Sequence, residues 1–136
     1  MTRLIEGSTF KSLAIGAALL LGATTAVAAP AREPNTPCFW ITQWEGWKSP
    51  SPKVLYLGVN MHDVYKVDLA AEASMLNDPG VHLVSEVRGS NSICSALDLR
   101  LSVADTGGMR EPLFPIKLTK LTPAEVAAIP KKFRPN

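Results

Sequence analysis

The clearest alternation in the chain sets Leu97, Leu99, Leu101 and Val103 against Asp98, Arg100 and Ser102. A period of two puts one set in a core and the other in water, which predicts a half-buried β-strand. Segments rich in β-branched and aromatic residues predict further strands at 38–44, 53–59, 64–69, 81–87 and 113–119. In the last of these, Ile116 and Leu118 are expected to point inward. Only the turn-forming residues Asn60, Met61, His62 and Asp63 separate the segments at 53–59 and 64–69, so these two predict a hairpin. Glu45-Gly46, the Ser49–Pro52 stretch, Asp78-Pro79-Gly80 and Thr106–Met109 punctuate the rest.

The pattern changes near the end. Thr122-Pro-Ala-Glu125 combines an N-cap acceptor, a proline at the first helical position and a glutamate at the third. That capping box predicts a short helix, stopped by Pro130. Segment 70–76 suits either a helical turn or a strand-to-strand crossover. Together these elements predict a mainly β domain: a small antiparallel barrel or sandwich of about six strands with a short C-terminal helix, α+β by strict count. Closure is favoured because it hides strand edges.

The longest apolar run lies elsewhere, at 13–22, after Arg3 and Lys11 and before the small residues of 23–29. This is the order of a secretory signal peptide. Ala26 and Ala28 supply the small residues at −3 and −1, so cleavage is expected after Ala28, with Ala29 as the first mature residue. The run is too short for the ~20 residues of a spanning helix, so no stable membrane insertion is expected after cleavage. The organisation read from the chain is a signal peptide at 1–28, a Pro-containing lead-in at 29–37, a single β-rich domain at 38–130 and a basic tail at 131–136.

Composition looks different once that leader is set apart. Of 136 residues, 46% are apolar, with 14 basic and 12 acidic side chains. Residues 1–28 take much of the apolar surplus with them, and also Arg3, Lys11 and Glu6, leaving 12 basic against 11 acidic groups. A chain so near neutrality has no field to steer a polyanion, so nucleic acid is not an expected partner. All 11 prolines fall after residue 28, which favours short extended segments over long helices.

In an oxidising extracytoplasmic compartment, Cys38 and Cys94 are expected to form one disulfide. Closing a loop of about 57 residues contributes about 4 kcal/mol on the chain-entropy model. A metal pair or redox dithiol would need Cys-x-x-Cys or His/Cys spacing that the sequence lacks.

Four blocks carry a resemblance: Cys38-Phe39-Trp40; Gly58-Val59-Asn60 with Val64-Tyr65; Ile93-Cys94-Ser95 with Leu97-Asp98; and the 121–130 stretch Leu-Thr-Pro-Ala-Glu-Val-Ala-Ala-Ile-Pro. In this order they resemble a family of small exported bacterial proteins catalogued only as a domain of unknown function, over Cys38 to about Pro135. The resemblance implies a periplasmic or secreted protein and carries no activity with it. Members often have two further cysteines, near Ala73 and Phe114 here. Their joint absence implies loss of a second bridge and leaves Cys38 and Cys94 as partners.

Candidate chemistry is sparse. His62-Asp63 suggests an acid/base pair, but neighbours on an extended chain point to opposite sides, so a polar turn is the preferred reading. His82 reads as a half-exposed sheet residue, and with no carboxylate at ligand spacing no metal site is expected. Ser90, Ser92 and Ser95 lack a nucleophile elbow and read as loop. Trp40, Trp44 and Trp47 are the candidate binding residues. With Trp40 and Trp44 on one side of a strand, the three would form an aromatic shelf for a sugar or another apolar surface; the preferred reading is two core tryptophans with Trp47 as a lid. Lys131, Lys132 and Arg134 read as a solvated tail. The function expected is binding or envelope structure without catalysis or cofactor, the partner being an envelope protein or small ligand. The alternatives are a carrier using a barrel interior, or a small enzyme using Asp63, Glu86 or Asp98.

Overall fold

The computed structural model describes residues 37–87 and 89–135. The leader expected at 1–28, its cleavage point at Ala28–Ala29 and the lead-in up to Thr36 lie outside the described residues.

Nine strands occur among the described residues: β1 (Phe39–Trp40), β2 (Trp44–Ser51), β3 (Val54–Val59), β4 (Asp63–Leu69), β5 (His82–Ser85), β6 (Ser92–Ile93), β7 (Leu101–Ala104), β8 (Arg110–Pro112) and β9 (Pro115–Lys120). One helix follows, α1 (Pro123–Ala128). The strands make three antiparallel sheets, in the orders β2-β3-β4-β9, β5-β7-β8 and β1-β6. The fold is mainly β and sandwich-like, and no closed barrel forms among the described residues. Pro112 and Pro115, which lack the N–H a ladder needs, flank the link between β8 and β9, and the two larger sheets stay separate there.

The inward faces follow the period of two. Leu55, Leu57 and Val59 of β3 stand opposite Val67, Tyr65 and Asp63 of β4, and Leu118 of β9 stands opposite Val67. With Leu101 and Val103 of β7, and with Phe39, Ile93 and Leu113, their apolar members form one buried cluster. The hairpin expected around 60–63 is present. Asn60 and Met61 take positive φ (50° and 59°), and the Glu45 carboxylate accepts the Met61 N–H at 2.9 Å.

Several expectations are corrected. The strand read at 38–44 is cut by a 3-10 turn, Ile41–Gln43, because the Gln43 Oε1 folds back to accept the Trp40 N–H at 2.7 Å. The stretch read as punctuation and loop at 45–52 is instead mostly β2. This is an edge strand, where Pro50 deprives no neighbour of a donor. The alternation at 97–103 is not one strand. Ala96–Asp98 is a 3-10 turn that leaves Leu97 73% exposed, and all four residues of β7 are buried, Ser102 included. Ile116 points out, because the β4–β9 register shifts between Lys117 and Pro115 and leaves it without an opposite residue. Segment 70–76 resolves into a crossover ending in a 3-10 turn, Ser74–Asn77, whose first N–H groups donate to the Glu111 carboxylate.

The disulfide joins Cys38 and Cys94, 56 residues apart with Cα atoms 4.2 Å from each other. Phe39 pairs with Ile93, so the two cysteines stand directly opposite and extend the β1–β6 ladder. Asp98 accepts the Cys94 N–H at 2.9 Å and the Ser95 N–H at 2.8 Å, which fixes the chain just after the bridge.

The C-terminal segment is joined to the four-stranded sheet at β4. The Leu121 N–H donates to the Val64 carbonyl, and α1 then opens on its capping box. Of the basic tail, Lys131 and Lys132 stay exposed as expected, while Arg134 is tied down. Lys131–Phe133 forms a 3-10 turn, and Arg134 donates to the Ala127 and Ile129 carbonyls, both at 3.0 Å, satisfying acceptors that the end of α1 leaves open. At the other end the Thr122 N–H, and after it the Thr122 hydroxyl, hold the Glu125 carboxyl below its ordinary pKa. A lowered folded-state pKa gives a contribution present above the unfolded value and lost as pH falls through the folded one. Carbon-detected NMR titration should therefore find Glu125 titrating below an ordinary glutamate. In Thr122→Ala, which keeps the backbone N–H and removes the hydroxyl, the midpoint should move part of the way up, and an unmoved midpoint would mean that the hydroxyl does not contribute to the shift.

Candidate functional site

The tryptophans do not share one strand. Trp40 lies before the 3-10 turn and is 57% exposed, whereas Trp44 and Trp47 are half-buried against the core. A spacing of three would put Trp44 and Trp47 on opposite faces of a regular strand. A bulge between Trp44 and Gly46 restores the phase, so both stand opposite inward-facing residues, Val59 and Leu57. Trp47 also lines a shallow groove of about 430 Å³ with Leu76, Lys132 and Phe133.

The carboxylates considered for catalysis are dispersed, and each has a partner. Asp63 accepts the Lys120 ammonium at 2.7 Å beside the Tyr65 ring. That bond holds Lys120 above the usual lysine value, while burial pushes the Tyr65 phenol up against the pull of the Lys120 charge. The Tyr65 hydroxyl donates to the Pro37 carbonyl at 3.0 Å. Asp98 caps the turn after Cys94, and Glu86 pairs with Arg110 at 3.7 Å. His62 lines a second shallow groove with Met61, Val64 and Val126, and His82 stands exposed opposite Ala104. The Ser90 hydroxyl accepts the Ser92 N–H, the Ser92 hydroxyl lies 3.6 Å from the Cys94 Sγ, and that of Ser95 donates to Asp98.

A different region is built more like a site. The outer face of the β5-β7-β8 sheet carries Ser102 and Ala104 on its middle strand, with Arg100 just before that strand, Val84 beside Ser102 on β5 and Pro112 beside it on β8. At one end of this face a groove of about 500 Å³ opens to solvent. Among the described residues, eight of the twelve that line it are apolar, so its walls offer burial to an apolar body rather than to a fully hydrated one. Leu97 and Phe114 form its rim, 73% and 57% exposed.

The polar members of the groove are few and specific. Glu86 stands level with Arg100, to whose carbonyl its N–H donates, and Arg110 stands opposite Ala104. The two approach from opposite edges, two positions to either side of Ser102, so their ion pair spans the middle strand on the face that carries it. Both side chains are about half exposed, and a pair of this kind contributes only about 0–1 kcal/mol. On that face Ser102 is 7% exposed and its hydroxyl has no hydrogen-bond partner. Arg100 makes no ion pair among the described residues.

None of Leu97, Arg100, Ser102, Arg110, Phe114 stood out in the sequence as a binding residue. One signal was present: Ser102 is the small residue on what the alternation marks as a water-facing side, where a longer polar chain is usual. No protein family, curated protein or solved structure matches the chain.

Proposed function

We propose that this chain is an exported, periplasmic or secreted binding domain, acting without catalysis, whose site is the groove beside Ser102. The observation that carries the reading is the buried, unpartnered Ser102 hydroxyl in a groove whose apolar rim is left in water. An unsatisfied buried hydroxyl costs about 1–3 kcal/mol, which a ligand able to pair with it would recover. Exposed apolar residues gathered at one place are likewise a common mark of a binding surface. Export is supported by the leader-like pattern of 1–28, by the resemblance of the four sequence blocks to exported proteins, and by the disulfide. The partner fits a small ligand held at the surface. The barrel interior considered for a carrier is replaced by packed side chains between the sheets. The dispersal of Asp63, Glu86 and Asp98 favours binding over carboxylate chemistry.

The test uses a neutral apolar fluorophore, N-phenyl-1-naphthylamine. It should bind the disulfide-bonded chain saturably, and both Leu97→Asp and Phe114→Asp should weaken it by about tenfold or more, equivalent to about 1.4 kcal/mol. Trp40→Ala should leave it unchanged. If affinity follows Trp40 and ignores both rim residues, the tryptophans carry the site and the groove reading is wrong.

A further inference from the structure

Resting on that groove as the binding site, we infer that its ligand is a monocarboxylate with an apolar tail, and that the Glu86–Arg110 pair is a strap the ligand's carboxylate displaces.

The charges set the sign and the number. Among the described residues the groove holds two guanidinium groups, Arg100 and Arg110, and one carboxylate, Glu86, a balance of one positive charge. A singly charged anion neutralises it. A dianion would overshoot, with Glu86 repelling the excess, and a cation would add to two positive charges. Arg100 is already without an ion-pair partner among the described residues, and Arg110 is held only at 3.7 Å by an exposed partner. A planar carboxylate matches the paired N–H groups of a guanidinium, and such charge-assisted bonds are about twice as strong as neutral ones.

Burial sets the third contact. Ser102 is buried on the face that the strap spans, so parting Glu86 from Arg110 opens the way to its hydroxyl. A carboxylate that takes Glu86's place on Arg110 meets this hydroxyl as a donor and supplies the acceptor it lacks. The tail then runs towards Leu97 and Phe114, each buried methylene adding about 0.8 kcal/mol. Opening the strap gives up a weak exposed pair and gains a charge-assisted one together with a satisfied hydroxyl, so exchange favours the ligand.

Octanoate, 1-octanol and octylammonium differ at the head and share the tail, so they separate this inference from the reading beneath it. Two-dimensional ¹H–¹⁵N NMR titration of the oxidised chain should show octanoate shifting the amides of Leu97, Arg100, Ser102 and Phe114, with an affinity about tenfold or more above 1-octanol. Arg100→Gln should lower octanoate affinity by about tenfold and leave 1-octanol unchanged. Glu86→Gln, which removes the competing carboxylate, should raise octanoate affinity several-fold. Equal binding of all three probes at the groove would overturn the carboxylate preference while leaving the groove as a binding site. Weaker octanoate binding in Glu86→Gln would overturn the strap. Absence of groove shifts with all three probes would overturn the groove reading itself.

Discussion

Replacing Cys38 and Cys94 together by alanine is expected to lower the unfolding free energy by about 2–5 kcal/mol. The bridge closes a segment spanning 56 positions, and opening so long a loop returns much entropy to the unfolded chain. The native side has little to replace it. β1 and β6 share only the pairs Phe39–Ile93 and Trp40–Ser92, too few for an independently stable ribbon. Phe39 and Ile93 are nonetheless buried in the main cluster, and the Phe39 ring lies 4.7 Å from that of Tyr65. Loss of the bridge therefore loosens one corner of the core as well as the ladder. Against a total of about 5–15 kcal/mol for a domain of this size, the change is large. Urea unfolding of the chain, oxidised wild type against the double variant, measures it. A difference below about 1 kcal/mol would show that the β1–β6 corner holds without the bridge.

Leu101→Ala is expected to cost about 2–5 kcal/mol, and Leu97→Ala no more than about 0.5. The two leucines occupy equivalent places in the same alternation, four residues apart. Leu101 is 4% exposed within the core cluster, so its truncation leaves a cavity between the sheets. Leu97 is 73% exposed on the 3-10 turn before β7, so its truncation only removes surface already in water. Chemical denaturation of both variants gives the comparison directly. Equal costs would contradict the placement of Leu97 and with it the rim of the groove. Leu97→Ala should weaken the neutral fluorophore while hardly touching stability, which distinguishes a binding residue from a packing one.

Much of the architecture was legible because it rests on local physics. The capping box of α1 is contained within four residues, and the β3–β4 hairpin within one short turn between strands of clean alternation. The pairing of Cys38 with Cys94 needed only the count of cysteines and an oxidising compartment. The errors share a different origin. The break in the strand at 38–44 comes from the Gln43 side chain folding onto the backbone. The common face of Trp44 and Trp47 comes from a bulge, and the outward turn of Ile116 from a register shift against β4. Each depends on how a neighbouring strand is met, which a period of two along one segment does not record.

The groove is the extreme case. Its rim comes from the turn before β7 and the link after β8, its strap from the far edges of one sheet, and its floor from the strand between them. By itself, the amino-acid order determined a mainly β chain with one short capped helix and one possible disulfide, because propensity, capping and cysteine number act over a few residues or none. Only the tertiary structure decided which apolar residues stay in water, which hydroxyl is buried without a partner, and which charges meet on the face that carries it. Those outcomes are set by contacts between segments far apart in the chain, and the free energy of such contacts exists only once the sheets have paired.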